Sequence, residues 1–226
     1  MGCGDNRVNL KSDSNKIKTT KMAIKHSYES TGRRTLEQIK DLKIIDIGGA
    51  NSFAHGFLDA LIDIRIPQAA AKNVFVGNID LPDIWDKIKA HVKKNGKWDY
   101  AICTHTLEDI NNPYYVCQQL EKIANAGLIV VPSKFREFSR FNSFRGFIHH
   151  RWIFDVIDGV LTGFPKNNFI EESTYDRVNE GKEFFEELIV EWEGEIGMKL
   201  INDGMPYGTE TMSGDEHIRQ LYKLLI

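Results

Sequence analysis

Between residues 43 and 132 the chain alternates short apolar runs with amphipathic stretches, and no other feature restricts the fold as much. Residues 43–49 (KIIDIGG) form a compact apolar run that stops at paired glycines, the mark of a buried strand entering a tight loop. Residues 61–64 (LIDI) read as a second strand. A helix reading competes there, because Ser52 suits a cap and Phe53, Phe57 and Leu61 would share one helical face. Residues 73–79 (NVFVGNI) predict a third strand. Pro82 then opens a helix with Ile84, Ile88 and Val92 on one face, Lys93 and Lys94 at its C-terminal dipole, and Gly96 at its end. Residues 100–103 predict a fourth strand. Asn112 and Pro113 open a second helix that carries Val116, Leu120 and Ile123 and is closed by Gly127. Residues 128–131 predict a fifth strand, stopped by Pro132. Short, fully apolar strands between amphipathic helices imply an α/β domain: a mostly parallel, doubly wound sheet with helices on both faces.

The flanks are less regular. Residues 1–28 are polar and non-periodic and are expected to form an N-terminal arm, leaving 29–226 as a single domain. Thr35 and Gln38 have capping-box spacing, which predicts a short helix to Leu42. Residues 134–170 form an irregular lid insertion with a turn signal at 162–166, 188–192 and 198–201 are C-terminal antiparallel strands, and 217–225 a closing helix. A length of 226 residues with 42% apolar and 27% charged side chains fits one globular domain and excludes disordered and fibrous classes. The net charge of −3 argues against a dedicated nucleic-acid binder. No apolar run has the length to cross a bilayer. The segment MGCGDNRVNLKSDSNKIKTT lacks the apolar core of a signal peptide, and Asn6 stands where a myristoylation signal has Ser or Thr. Cys3, Cys103 and Cys117 make neither a disulfide framework nor a metal-ligand spacing, so a reducing, cytoplasmic setting is expected.

In a parallel α/β sheet the ligand crevice lies beyond the carboxyl ends of the strands. After the first strand come Gly48, Gly49, Ala50 and Asn51, small residues that let a ligand approach the backbone. After the second comes Asp63, seventeen positions beyond Asp46. A carboxylate near that offset accepts both ribose hydroxyls of a nucleoside, with Asp59 the alternative if the strand starts earlier. After the third come Asn78, Ile79 and Asp80, suited to reading an adenine edge and covering its face. After the fourth come Thr104, His105, Thr106, Leu107, Glu108 and Asp109, one histidine and two acids where a substrate would sit. Thr106 or Asp109 capping a helix beside a solvated His105 is the plain structural account. The company of the other three loops favours function.

The order KIIDIGGA, LIDI, VFVGNID, WDYAICTHTLEDINNP and AGLIVVPSK resembles class I S-adenosylmethionine-dependent methyltransferases. The resemblance covers residues 43–134 and implies a Rossmann-like sheet of methyltransferase type, with S-adenosylmethionine as cofactor and S-adenosylhomocysteine (SAH) as product. It implies that Asp46, Gly48, Gly49 and Ala50 match the loop along the methionine part of the cofactor. Asp63 matches the ribose acid, Asn78 and Ile79 the adenine loop, and Thr104 and His105 the segment lining the transfer site. HTLEDINNP is close to the His-x-Leu-Glu-His-x-x-x-Pro pattern of the small-molecule branch. THTLED followed by VPSK and HHRW is similar to a bacterial group of methyltransferase-domain proteins without a defined substrate. The chain departs from the family where Asn51 or Ser52 replaces a third glycine and Asn78 replaces a common acid.

Residues 134–152 (KFREFSRFNSFRGFIHHRW) interleave Lys134, Arg136, Arg140, Arg145 and Arg151 with phenylalanines and Trp152. Such a lid suits an anionic substrate held by arginine forks. Base stacking beside basic residues is also a nucleic-acid footprint, though the chain carries no DNA-recognition module. The structural alternative, preferred for most of the rings, is that they pack against the sheet edge. His149, His150 and Arg151 are assigned to the acceptor side of the site. In a strand, His149 and His150 would point to opposite faces and not share one metal; no metal is assigned. The expected activity is methyl transfer to a small molecule or glycan. His105 serves as general base or substrate positioner beside Glu108 and Asp109, with no membrane or nucleic-acid partner. The alternatives are a non-catalytic nucleoside-binding protein of the same fold and a metal-dependent hydrolase using His105, Glu108 and His149.

Overall fold

A computed structural model describes residues 24–29, 39–49, 56–66, 71–141, 144–166, 170 and 185–201. Residues 35–38 of the expected helix at 35–42 lie outside the described residues, and 39–42 form a turn. Ala50, Asn51, the Ser52 cap, Phe53 and the closing helix at 217–225 lie outside them altogether.

The central sheet contains β1 (Lys25–Glu29), β2 (Ile44–Ile47), β3 (Ala60–Asp63), β4 (Asn73–Val76), β5 (Trp98–Thr104), β6 (Ala124–Pro132) and β11 (Glu187–Glu193). Their order is β1-β11-β6-β5-β2-β3-β4. Strands β4, β3, β2, β5 and β6 are mutually parallel, and β11 is antiparallel to β6 and to β1. The fold is therefore mixed α/β with a mostly parallel central sheet, as the alternation predicts. The parallel part starts in the middle at β2, winds out to β4, then returns to the other side of β2 at β5. That reversal places a topological switch point between β2 and β5, where parallel sheets open a crevice.

Helix α1 (Pro82–Asn95) buries Ile84, Trp85 and Ile88, and Gly96 ends it at φ 78°, a backbone glycine adopts freely. Helix α2 (Pro113–Ile123) starts where the Asn112 side chain accepts the Tyr115 N–H. Both helices pack on one face of the sheet, in a core that runs from Ile45 and Ile62 through Cys103 and Ile129 to Val190 and Trp192. On the other face lie smaller clusters around Leu61 and Ile102 and around Val130 and Ile189. No helix among the described residues is long and apolar enough to cross a membrane.

Beyond β6 come a short helix, α3 (Lys134–Phe138), and a two-stranded ribbon of β7 (Arg140–Phe141) and β8 (Phe144–Arg145). Strands β9 (Trp152–Ile157), β10 (Val160–Pro165) and β12 (Met198–Leu200) make a second, three-stranded sheet. Its Phe154 and Leu161 join the main core.

Several elements differ from the sequence reading. Lys25–Glu29, placed in the polar arm, is strand β1 on the edge of the sheet. Phe57 is exposed in a turn while Leu61 lies buried in β3, so the two share no helical face. The third strand stops at Val76, an edge strand with alternating burial. Gly127 does not close α2, which ends at Ile123. It lies inside β6, where a Cβ would meet the Ala101 carbonyl at 2.4 Å and Trp192 Nε1 at 2.7 Å. Thr162 to Lys166, read as a turn, belongs to β10 and its end. A Cβ on Gly163 would meet Leu200 Cδ2 at 2.8 Å and Phe154 Cε1 at 2.9 Å, so a glycine fits there. The strand at 198–200 leaves the central sheet and pairs parallel with β10.

Candidate functional site

Four strand tips meet at one cleft of about 220 Å³. Gly48 comes from β2, Asp63, Ile64 and Arg65 from β3, Gly77, Asn78 and Ile79 from β4, and His105, Thr106, Asp109 and Ile110 from β5. The convergence follows from the switch point.

Gly48 has φ 76°, and its N–H donates to the Ile62 carbonyl at 2.8 Å. A Cβ on it would meet Thr106 Oγ1 at 2.3 Å. Thr106 Oγ1 donates to the Thr104 carbonyl at 2.9 Å and lies 3.3 Å from the Ile47 carbonyl, which ties the β5 loop to the tip of β2. Asp46 is fully buried beneath Gly49, whose Cβ would lie 2.5 Å from the Asp46 carboxyl carbon. Asp46, Gly49 and Thr104 thus shape the floor and do not line the cleft. Ala50 lies outside the described residues.

Asp63 is nearly buried, and its Oδ1 accepts the Arg65 N–H at 2.8 Å. Asp59 lies at the other end of the sheet, where it accepts the Ile44 N–H at 2.9 Å and pairs with Lys72 at 2.6 Å. Of the two acids, Asp63 is the one at the cleft. Asn78 Oδ1 accepts the Asp80 N–H at 2.9 Å, and Ile79 O accepts Trp85 Nε1 at 2.7 Å. Asp80 is not among the residues lining the cleft. Its carboxylate accepts the Asn111 and Asn112 N–H groups at 3.0–3.1 Å and braces the approach to α2.

His105 has φ 48°, a left-handed backbone that aims its ring at two acids. Nε2 lies 3.1 Å from Glu187 Oε1 and Nδ1 3.4 Å from Glu108 Oε1. Hydrogen bonds to Glu108 and Glu187 outweigh burial and push the imidazole up to about 10. Glu108 is buried behind the ring, and burial pushes its carboxyl up.

The HHRW segment is sewn to this loop. Arg151 N donates to the Glu108 carbonyl at 2.7 Å, Arg151 Nε to the Asp109 carbonyl at 3.0 Å, and Trp152 Nε1 to the Ile110 carbonyl at 2.9 Å. His150 N donates to Phe147 O at 3.1 Å, so the two histidines lie in a turn. The strand geometry that would separate them is absent. Their rings sit 4.5 Å apart, edge to face, and both Nε2 atoms approach Asp109 Oδ1, at 3.8 and 3.9 Å.

The lid's cations mostly serve the fold. Lys134 Nζ is buried and pairs with Asp155 at 2.7 Å, and buried Arg145 donates to the Phe138 carbonyl at 2.7 Å. Phe135 and Phe138 are buried, as the structural alternative for the rings expects. Sequence reasoning missed Arg65, Gly77 and Ile110 in the cleft and Glu137 and Glu187 behind the histidines. Arg65 and Gly77 had a signal, since each follows a strand tip within two positions. Glu137 and Glu187 come from distant segments.

No family model matches the chain, and no curated protein matches it. Solved structures similar to it include the N-terminal domain of EvdMO1 with SAH bound (8% identity, TM-score 0.34, 72% of this chain and 63% of that one). The match thus spans less than two thirds of that domain. Others are Thermoplasma acidophilum 1320 (14% identity, TM-score 0.35, 70% and 81%) and an S-adenosylmethionine-dependent methyltransferase from Mesorhizobium loti (12% identity, TM-score 0.32, 69% and 68%).

Proposed function

We propose that this chain is an S-adenosylmethionine-dependent methyltransferase whose acceptor is a small molecule or a glycan. The observation that carries the reading is the meeting of four strand tips at one cleft, with Asp63 at the end of β3 and Gly48 at the end of β2. The donor set fits a nucleoside. Asp63 offers a carboxylate to ribose hydroxyls, Asn78 an amide to an adenine edge, and Ile64, Ile79 and Ile110 apolar surface to a ring.

S-adenosylmethionine, when bound, supplies a methyl group on a positively charged sulfur, and passing it to a nucleophile needs orientation and at most one base. His105 is a poor base while Glu108 and Glu187 hold its proton. It acts instead as a cationic donor that positions the acceptor. Asp109, which lines the cleft, and the neighbouring His149 and Arg151 form the acceptor side.

Calorimetry with S-adenosylmethionine and SAH tests the cofactor. Both bind the native chain, and Asp63→Ala weakens them roughly 10- to 100-fold, the worth of hydrogen bonds to a charged group. If neither compound binds, the reading fails. A second reading, a non-catalytic nucleoside-binding protein, is favoured by the protonated state of His105. Binding of both compounds with no transfer of labelled methyl to small-molecule or glycan fractions selects it.

A further inference from the structure

We propose that Asp109, His149 and His150 form a three-ligand site for a divalent transition-metal ion, with zinc the reference ion, at the rim of the cleft. One ligand atom from each lies within 4.8 Å of the others. A tetrahedral zinc with bonds of about 2.0–2.1 Å sets its ligand atoms about 3.3 Å apart. The imidazole nitrogens stand 3.8 and 3.9 Å from Asp109 Oδ1, so those two pairs close on an ion by about half an ångström, and separations of up to 4.8 Å by at most about 1.5 Å, within reach of side-chain rotation. Those separations are too long for hydrogen bonds. The three groups surround a gap and do not close on one another.

The support behind His150 distinguishes this cluster from a chance meeting of surface side chains. His150 is buried, and its Nδ1 lies 2.5 Å from Glu137 Oε1. Glu137 is itself fully buried and fixed by Lys166 Nζ at 2.8 Å. A carboxylate that accepts a hydrogen bond from Nδ1–H fixes the tautomer with the Nε2 lone pair on the side of Asp109, the arrangement of a metal-ligating histidine and its outer partner. Arg151 holds the Asp109 backbone from the other side. Two imidazoles and one carboxylate favour zinc-like ions over magnesium or calcium, which prefer all-oxygen shells.

Three protein ligands leave a fourth position open. Asp109 also lines the cleft with Gly48, Asp63 and His105, so an ion on these three residues would sit at its edge. An acceptor oxygen is the ligand it would take, a role that rests on the methyltransferase reading. Metal binding itself does not depend on that reading.

The test titrates chelator-treated full-length protein with zinc by calorimetry and with cobalt by visible absorption, in the absence of any nucleoside. One equivalent of zinc binds with micromolar or tighter affinity, and cobalt gives the d–d bands of a tetrahedral site. His149→Ala and Asp109→Asn, both at exposed positions, abolish the bands and this binding while circular dichroism stays native. Glu137→Gln weakens zinc roughly 10- to 100-fold. His91→Ala, stacked on Trp98 away from the cleft, leaves binding unchanged. Absence of zinc binding in the native protein, or zinc bound equally by native, His149→Ala and Asp109→Asn proteins, overturns the proposal. Failure of S-adenosylmethionine to bind would overturn the functional reading and leave this site standing.

Discussion

His105 shows how a single residue's role depends on its partners. An imidazole beside one carboxylate is a common general base, but His105 faces Glu108 and Glu187 together, and their hydrogen bonds hold its proton to about pH 10. Because the folded value is raised, the stabilisation is fully present below the ordinary value near 6.5 and is lost as pH climbs through about 10. Melting temperatures of the native protein should therefore fall relative to His105→Asn across that window, and converge above it. Imidazole proton resonances that titrate near the ordinary value would disprove the assignment. Gly48 is the other residue whose chemistry is fixed by its neighbours. Gly48→Ala pays about 1–2 kcal/mol for the left-handed backbone, and it also meets Thr106 Oγ1 at 2.3 Å and Cγ2 at 2.9 Å. Adding Thr106→Ala removes those two atoms and leaves Cβ at 3.1 Å. The pair should be non-additive in urea unfolding, the double variant recovering part of the loss. Strict additivity would mean the glycine is needed only for its backbone.

At the scale of elements, β1 is held from outside the sheet as well as by its pairing with β11. The Tyr28 hydroxyl donates to Asp155 Oδ1 on β9, and its ring packs on Phe135 and Phe185. Lys134 pairs with the same Asp155, and burial together with that carboxylate pushes the Tyr28 hydroxyl up. Tyr28→Phe keeps the ring and deletes one donor to a buried carboxylate, so it should cost about 1–3 kcal/mol in chemical denaturation; a loss under a few tenths would show that the hydroxyl does not matter. None of this was legible in KHSYE, which has no apolar run and takes its strand form from a distant partner. The buried strands β2, β5 and β6 were legible because each carries its own apolar signal, as were both long helices with their proline starts. Gly127, Gly163 and Pro165 misled for one reason: glycine and proline read as breaks, yet the glycines serve close packing of Trp192, Phe154 and Leu200, and Pro165 ends β10. Conversely, Asp158-Gly159 went unread although it joins β9 to β10 with both residues at positive φ, 51° and 76°, the preferred two-residue hairpin turn. At the site, the strand-tip residues Gly48, Asp63, Asn78, Ile79 and His105 could be found from topology alone. The meeting of HHRW with Glu137 could not, since it joins segments that no local pattern relates.

Across the whole molecule, one buried network binds the lid, the second sheet and the cleft wall into a unit. Lys166, just past β10, uses its three donors on Glu137 of α3 and on the carbonyls of Arg145 and Phe147, each at 2.8 Å. Glu137 also takes His150, whose neighbours Arg151 and Trp152 are hydrogen-bonded to the loop between β5 and α2. The described part of the stretch read as a lid is therefore fixed to the loop that supplies Asp109 and Ile110 to the cleft. Buried ion pairs differ from exposed ones in what their rupture costs, because a charge left without its partner in the interior cannot be solvated. Lys166→Met strands Glu137 with His150 alone and should cost about 3–5 kcal/mol. Lys72→Met breaks an equally short pair with Asp59, but Lys72 is exposed, and the loss should stay within about 1 kcal/mol. Glu137→Gln combined with Lys166→Met leaves no unpartnered carboxylate and should recover much of the Lys166→Met loss. Urea midpoints at an unchanged m-value give all three numbers. If Lys166→Met proves as mild as Lys72→Met, the network does not hold these segments together, and His150 loses the rigid support that turns it toward Asp109.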